Sequence, residues 1–353
     1  MPQDLSDTLV VGISSRSLFD LEEENRIFLE QGKDAYREYQ IGKETVPPGK
    51  GTAFHLVEGL LRLNALPRQD GKTEPLVEVV VMSRNDATIG LRIFNAIEQY
   101  GLQITRAAFT SGTSLANYLD AFAVDLFLSK YQEDVRKAHA AGIAAAVLRP
   151  PPGGFVPDEH GIRIAFDGDA VLFTEASERI NKEQGLRAFH AHEREHARQE
   201  LPDGPFAKLL RALATLQRAL PTEDPPIRLA LVTARSAPAI ERVIRTLRAW
   251  NVTIDESFFM GGLSKEPVLK AFQPHIFFDD QDVHLGPASR VVPAGHVPSE
   301  LEALPVEGEL EASPVETQPE ALPVETQPEA LPVEDEQEEL AAQLRRVPAL
   351  AKQ

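Results

Sequence analysis

Two aspartates flanking one glycine, set between two apolar runs, constrain this chain more than any other stretch. They lie in Ile164-Ala165-Phe166-Asp167-Gly168-Asp169-Ala170-Val171-Leu172-Phe173. At a strand end, residues two apart point the same way, so Asp167 and Asp169 are expected to turn both carboxylates to one spot. Gly168 lets the backbone come close to whatever sits there. Two carboxylates so placed suit a nucleophile, a proton carrier and an oxygen-seeking cation. A merely acidic turn is the plain alternative for so short a motif, and the rest of the chain decides against it.

Downstream, Leu229-Ala230-Leu231-Val232-Thr233-Ala234-Arg235 is an apolar strand ending in a threonine. Lys265 follows Gly261-Gly262-Leu263-Ser264, and His275-Ile276-Phe277-Phe278-Asp279-Asp280 is a strand ending in paired aspartates. Strand-DxD, strand-Thr, Lys and strand-DD, in that order, resemble the four motifs of the haloacid dehalogenase-like hydrolases. Taken singly, Thr233 reads as a strand-terminal residue and Lys265 as a surface lysine at a helix start. Their order, at the strand ends where open α/β sheets bind ligands, makes the set specific.

Strands and helices alternate along the chain, which implies a mostly parallel sheet covered by helices. The first half reads as strands at 8–14, 77–82, 104–109, 124–128 and 143–148, with helices at 18–31, 54–63, 87–100, 115–122 and 133–141. Pro150-Pro151-Pro152-Gly153-Gly154 breaks the chain. The second half has strands at 162–166, 229–233, 256–260, 275–278 and 289–292. Its helices fall in 175–220, 238–250 and 267–272. Residues 81–128 and 231–278, aligned 150 positions apart without a gap, share ten identities over 48 positions, among them Arg92/Arg242, Phe109/Phe259 and Gly112/Gly262. This reads as a duplication, so the two halves should share one topology. Opposite Thr233 stands Ser83, opposite Lys265 stands Leu115, and opposite Asp279 and Asp280 stand Ser129 and Lys130. The first half therefore cannot assemble an acidic metal site; it is left to carry substrate contacts or to pack against the active half.

The expected organisation is a degenerate Rossmann-like half over 1–150, a catalytic haloacid dehalogenase-like domain over 160–298 with a helical cap at about 175–226, and a tail over 299–353. In that tail a nine-residue unit recurs from Glu302, Glu311, Glu320 and Glu329, as in EALPVETQP. Regular prolines and glutamates cannot bury a core, so a disordered, solvated tail is expected. The tail also explains the net charge of −18: residues 299–344 hold 14 acids and no Lys or Arg, leaving 40 acids against 33 bases in residues 1–298. Without a basic cluster, nucleic acid is not an expected partner. No apolar run approaches the ~18 residues of a membrane span. The absence of cysteine suits a reducing cytoplasm. Nothing in the sequence decides between a monomer and a homo-oligomer.

Two competing motifs point to other chemistry. His192-Glu193-Arg194-Glu195-His196 matches the H-E-x-x-H pattern of zinc proteases. The stretch is highly charged, has no obvious third ligand, and falls in the cap, so cap contacts or a solvated helix face are expected instead. Pro47-Pro48-Gly49-Lys50-Gly51-Thr52 lacks the spacing of a phosphate-binding loop and reads as a plain loop.

Beyond the superfamily, residues 8 to 298 resemble the cytosolic 5′-nucleotidase I family. The resemblance rests on Ser14-Ser15-Arg16-Ser17-Leu18-Phe19-Asp20-Leu21-Glu22-Glu23-Glu24-Asn25-Arg26-Ile27-Phe28, on Ala165 to Phe173, on Leu231 to Ser236 and on Pro274 to Gln281. It implies Mg²⁺-dependent hydrolysis of AMP-like or deoxynucleoside 5′-monophosphates. In that scheme Asp167 is the nucleophile, Asp169 the acid and base, Thr233 a phosphoryl contact and Lys265 a neutralising cation. Asp279 and Asp280, directly or through water, complete a Mg²⁺ site with the Asp167 carboxylate and the Asp169 carbonyl, and the sequence leaves open which of the two touches the ion. Substrate contacts are expected from the cap near Phe173, without a named residue.

Overall fold

In the computed structural model, residues 5, 7–158, 161–221, 223 and 225–299 are described. The repeat tail expected to be disordered lies outside the described residues. Apolar runs such as Leu9–Ser14, buried throughout, and Ile227–Thr233, buried except at Arg228, become inner strands. The ten strands of the main sheet are β1 Leu9–Ser14, β2 Val77–Ser83, β3 Arg106–Phe109, β4 Leu126–Ser129, β5 Ala144–Leu148, β6 Ile162–Phe166, β7 Ile227–Thr233, β8 Glu256–Phe259, β9 Ile276–Asp279 and β10 Ala294–His296. Their order is β3-β2-β1-β4-β5-β10-β9-β6-β7-β8. The first five and the last five therefore have the same internal order.

Within each half every pairing is parallel, but β5 and β10 join antiparallel, Leu148 against Gly295. The strands of one half thus run opposite to those of the other, and their C-terminal ends lie on opposite rims of the sheet. The strand ends of the first half therefore lie at the rim opposite the acidic residues that follow β6 and β9. One apolar layer, including Ile13, Val81, Phe166, Leu210 and Phe278, runs across both halves. The other face is covered by two separate clusters, one around Phe127 and one around Phe277. Among the described residues no helix is long and apolar enough to cross a membrane.

The repeat reaches further than the 48 aligned positions. After β1, Phe19–Asp20 pairs antiparallel with Gly49–Lys50; after β6, Phe173 bridges Asp203 in the same sense. Gly51 N donates to Leu18 O, and Gly204 N donates to Leu172 O, each at 2.9 Å. Each ribbon is the stem of a helical hairpin: Glu22–Gly42, broken at Gly32, in the first half, and Ala176–Gln184 with Leu186–Glu195 in the second. Arg26-Ile27 and Glu30-Gln31-Gly32 recur as Arg179-Ile180 and Glu183-Gln184-Gly185. The two glycines turn the chain at φ 85° and 81°, a conformation that side chains resist. Both halves therefore own a cap. The helix expected at 18–31 is accordingly longer and kinked.

Two other expectations are corrected. The segment 115–122 forms two short 3₁₀ turns, Leu115–Tyr118 and Asp120–Phe122. The last strand is not 289–292. There Ser289 and Val292 N–H groups still donate to Leu285 and Ala288 carbonyls, prolonging the turn of helix Asp282–Ala288, and the strand begins only after Pro293.

Candidate active site

Asp167 follows β6 directly, and its N–H donates to Phe278 O at 2.8 Å, which ties the DGD turn to β9. Asp279 ends β9 and Asp280 follows. One carboxylate oxygen from each of Asp167, Asp279 and Asp280 lies within 4.8 Å of the others, and all three residues are buried. Lys265 precedes the helix Glu266–Phe272. It is no surface lysine: its side chain is 1% exposed, with Nζ 2.9 Å from Asp167 Oδ1 and donating to Asp279 Oδ2 at 2.6 Å. Thr233 ends β7, buried, and its Oγ1 faces the DGD turn. A Cβ on Gly168 would lie only 3.1 Å from that oxygen, which is why the turn has a glycine there.

Three buried carboxylates share one ammonium, so negative charge is in excess. Burial, then the charges of Asp167 and Asp279, push the Asp280 carboxyl up to about 9. Burial likewise raises Asp167 and Asp279, with Lys265 opposing. Against burial, Asp167 and Asp279 raise Lys265 to about 12. Asp280 Oδ1 is buried without a hydrogen-bond donor. An all-oxygen, over-negative cluster with an orphaned carboxylate oxygen fits a hard divalent cation.

That fit has a testable consequence. With its pKa raised in the fold, Asp280 binds more protons folded than unfolded between the ordinary carboxylate range and about 9, so it lowers stability as pH rises through that window. Metal-free protein should lose melting temperature from about pH 5 to about pH 8, and Mg²⁺ should restore it most at the higher pH. Asp280→Asn should flatten the slope. A melting temperature indifferent to both Mg²⁺ and Asp280→Asn would count against a cation site.

Asp169 is not where the sequence puts it. Its carboxylate lies outside the acidic cluster, both oxygens accepting from Arg235, Nε at 2.8 Å and Nη2 at 2.6 Å. Arg235 Nη1 donates to Glu193 Oε2 at 2.6 Å. Glu193 Oε1 accepts from Arg242 Nη1 and from Ser177 Oγ, both at 2.9 Å. The cap is thus wired to Asp169 through one guanidinium. Burial raises Glu193, but Arg235, Ser177 and Arg242 outweigh it and hold the carboxyl below its usual range. Arg235 stands two residues after Thr233, and that spacing was the one sequence signal for it. Glu193 was visible only as part of the zinc-like motif.

The zinc reading fails on the same contacts. Glu193 is consumed by two arginines and a serine, and the His192 and His196 rings stack on each other at 4.1 Å. Among the described residues the three aspartates are the one group with metal-ligand proximity. His192 is half-buried with Nδ1 3.2 Å from Glu193 Oε1, but Arg235, Arg242 and Ser177 hold Glu193 without it, so His192→Ala should leave phosphate release within several-fold of the parent. A loss above tenfold would reopen the motif. Phe173 is fully buried with its ring 5.5 Å from that of Trp250, so it braces the cap stem.

A family model described as 5′-nucleotidase matches residues 1–303. Human cytosolic 5′-nucleotidase 1B is 36% identical over 296 residues, covering 82% of this chain and 48% of that protein. The chain thus spans about half the length of the curated relative it matches. Among solved structures, histidinol dehydrogenase from Elizabethkingia anophelis aligns over 82% of this chain and 79% of its own, at 8% identity and a TM-score of 0.21. A likeness at that level carries no argument.

Proposed function

Because the chain belongs to the cytosolic 5′-nucleotidase I family, we propose that it hydrolyses nucleoside 5′-monophosphates, AMP-like or deoxy, to nucleoside and phosphate in the cytoplasm. The observation that supports this most is Lys265 Nζ seated between Asp167 and Asp279, beside Asp280.

In the proposed reaction an Asp167 oxygen attacks phosphorus and the bond to the nucleoside 5′-oxygen breaks, leaving an aspartyl-phosphate. Asp169 gives its proton to the departing oxygen. It then takes a proton from the water that attacks phosphorus, which frees phosphate and restores the Asp167 carboxylate. Lys265 keeps Asp167 ionised and oriented. Thr233 Oγ1 donates to a phosphoryl oxygen. The Asp167, Asp279 and Asp280 carboxylates, with the Asp169 carbonyl, would hold a Mg²⁺ ion, which would supply charge neutralisation at the phosphoryl group. Arg235 holds both oxygens of Asp169, so one must be freed before the proton can move, and Glu193 makes the cap the element that governs this step.

The test is phosphate release from a panel of nucleoside monophosphates and sugar phosphates, with Mg²⁺ and with EDTA. Release from nucleotides that EDTA abolishes supports the reading. Release from sugar phosphates alone keeps the mechanism and removes the substrate. No release from any ester leaves a non-catalytic binding protein.

A further inference from the structure

The first half retains every structural part of a capped site at the opposite rim of the sheet, yet the mechanism uses none of it. Strand register gives the correspondence. Ile13 pairs Val81 as Phe166 pairs Leu231, so Ser14 stands in the register of Asp167 and Arg16 in that of Asp169. Ser129 and Lys130 stand where Asp279 and Asp280 stand. The cap is anchored alike as well. Arg92 Nη1 donates to Glu24 at 2.6 Å and to Gln40 at 2.8 Å on the first hairpin, as its counterpart Arg242 donates to Glu193 on the second. Where the catalytic half has four carboxylates, this half has two hydroxyls and two cations.

We infer that this is a second ligand site with inverted charge, in which Arg16 and Lys130, beneath the hairpin 22–42, bind the phosphate group of a small molecule. Three further observations support it. The exposed Glu22 carboxylate lies 3.1 Å from Arg16 Nη2 and 3.7 Å from Lys130 Nζ, so both cations already converge on one anion. Arg16 Nε is buried without a hydrogen-bond partner among the described residues. Burial, with Arg16 beside it, lowers the pKa of Lys130 despite Glu22. Arg84 is already engaged by Asp134, at 2.9 and 2.8 Å, and the Arg84 and Arg16 guanidinium groups both lie over the Tyr131 ring, at 5.4 and 5.5 Å from its centre. The inference does not depend on the hydrolysis reading, since it concerns binding at the other rim.

The experiment is calorimetric titration of the full-length Asp167→Asn protein in EDTA, which removes turnover and metal. The probes are inorganic phosphate, ribose 5-phosphate and AMP. At least one should bind saturably with one-to-one stoichiometry. Lys130→Ala should weaken that binding about tenfold or more, one charge-assisted contact being worth at least that. Glu22→Gln should tighten it several-fold by removing the resident carboxylate, a gain that misfolding cannot imitate. Binding of phosphate itself would mark the free ion as sufficient; binding of the esters alone would mark a phosphorylated metabolite. No saturable binding by any probe, or binding that neither substitution changes, overturns the inference.

Discussion

Asp167→Asn is expected to lower kcat for nucleotide hydrolysis by on the order of 10⁴-fold or more, with the fold intact. An amide is a poor nucleophile and cannot form the acyl-phosphate, and losing a covalent nucleophile commonly costs that much. The stability of the same variant makes the prediction sharper. Asp167 sits in a buried cluster where three carboxylates face one ammonium, and its charge contributes to the upward shift of Asp280. Removing one negative charge relieves that repulsion, so the metal-free variant should melt at or above the parent at about pH 8. Thermal denaturation in EDTA alongside steady-state phosphate release measures both. An inactive variant that melts well below the parent would point to collapse rather than to lost chemistry. A variant keeping a tenth of parental activity would remove Asp167 from the nucleophile's role.

Lys265→Met should be the most destabilising single change at the site. The ammonium is enclosed, 1% exposed, and compensates Asp167 and Asp279 directly. Taking away one partner of a buried ion group leaves the others uncompensated, which costs about 3–5 kcal/mol. Denaturant unfolding without metal should show that loss at about pH 8. The loss should shrink toward about pH 5, because Asp167 and Asp279 have their folded pKa values raised and take up protons there, removing the uncompensated charge. Activity should fall as well, since the Asp167 carboxylate, the proposed nucleophile, is no longer held. A Lys265→Met protein as stable as the parent at both pH values would mean that the lysine is solvated, contrary to its contacts.

The acidic cluster is legible in the sequence because its chemistry depends on residue type and strand-end placement. Asp167, Asp279 and Asp280 end strands that read as apolar runs, and parallel strands bring their C-terminal ends together. Lys265 is legible by order and not by environment: nothing local distinguishes a lysine at a helix start from one turned inward. Asp169 is legible by spacing and misplaced in direction, because its partner Arg235 is 66 residues away and the guanidinium that draws it is held in turn by the cap.

The duplication shows the same division. Its central 48 positions are visible at an offset of 150, whereas the caps repeat at an offset of 153 over a few scattered identities, and matching the Phe19–Lys50 and Phe173–Asp203 stems in space makes them plain. There Gln40 and Glu193 stand at matching places and accept from Arg92 and Arg242, while the carboxylate itself stands on the first cap helix as Glu24 in one half and on the second as Glu193 in the other.

By itself, the sequence determined the α/β class, the shared topology of the two halves and the set of acids that converge, since these follow from hydrophobic period, element alternation and the chemistry of side chains at strand ends. The tertiary structure alone decided three things: the antiparallel join of β5 to β10, the burial of Lys265 and the tether from the cap through Arg235 to Asp169. The physical reason is range. Periodicity specifies which face of an element is apolar, but how two such faces meet is set by packing between residues far apart in the chain, and the join of two sheet edges leaves no local mark.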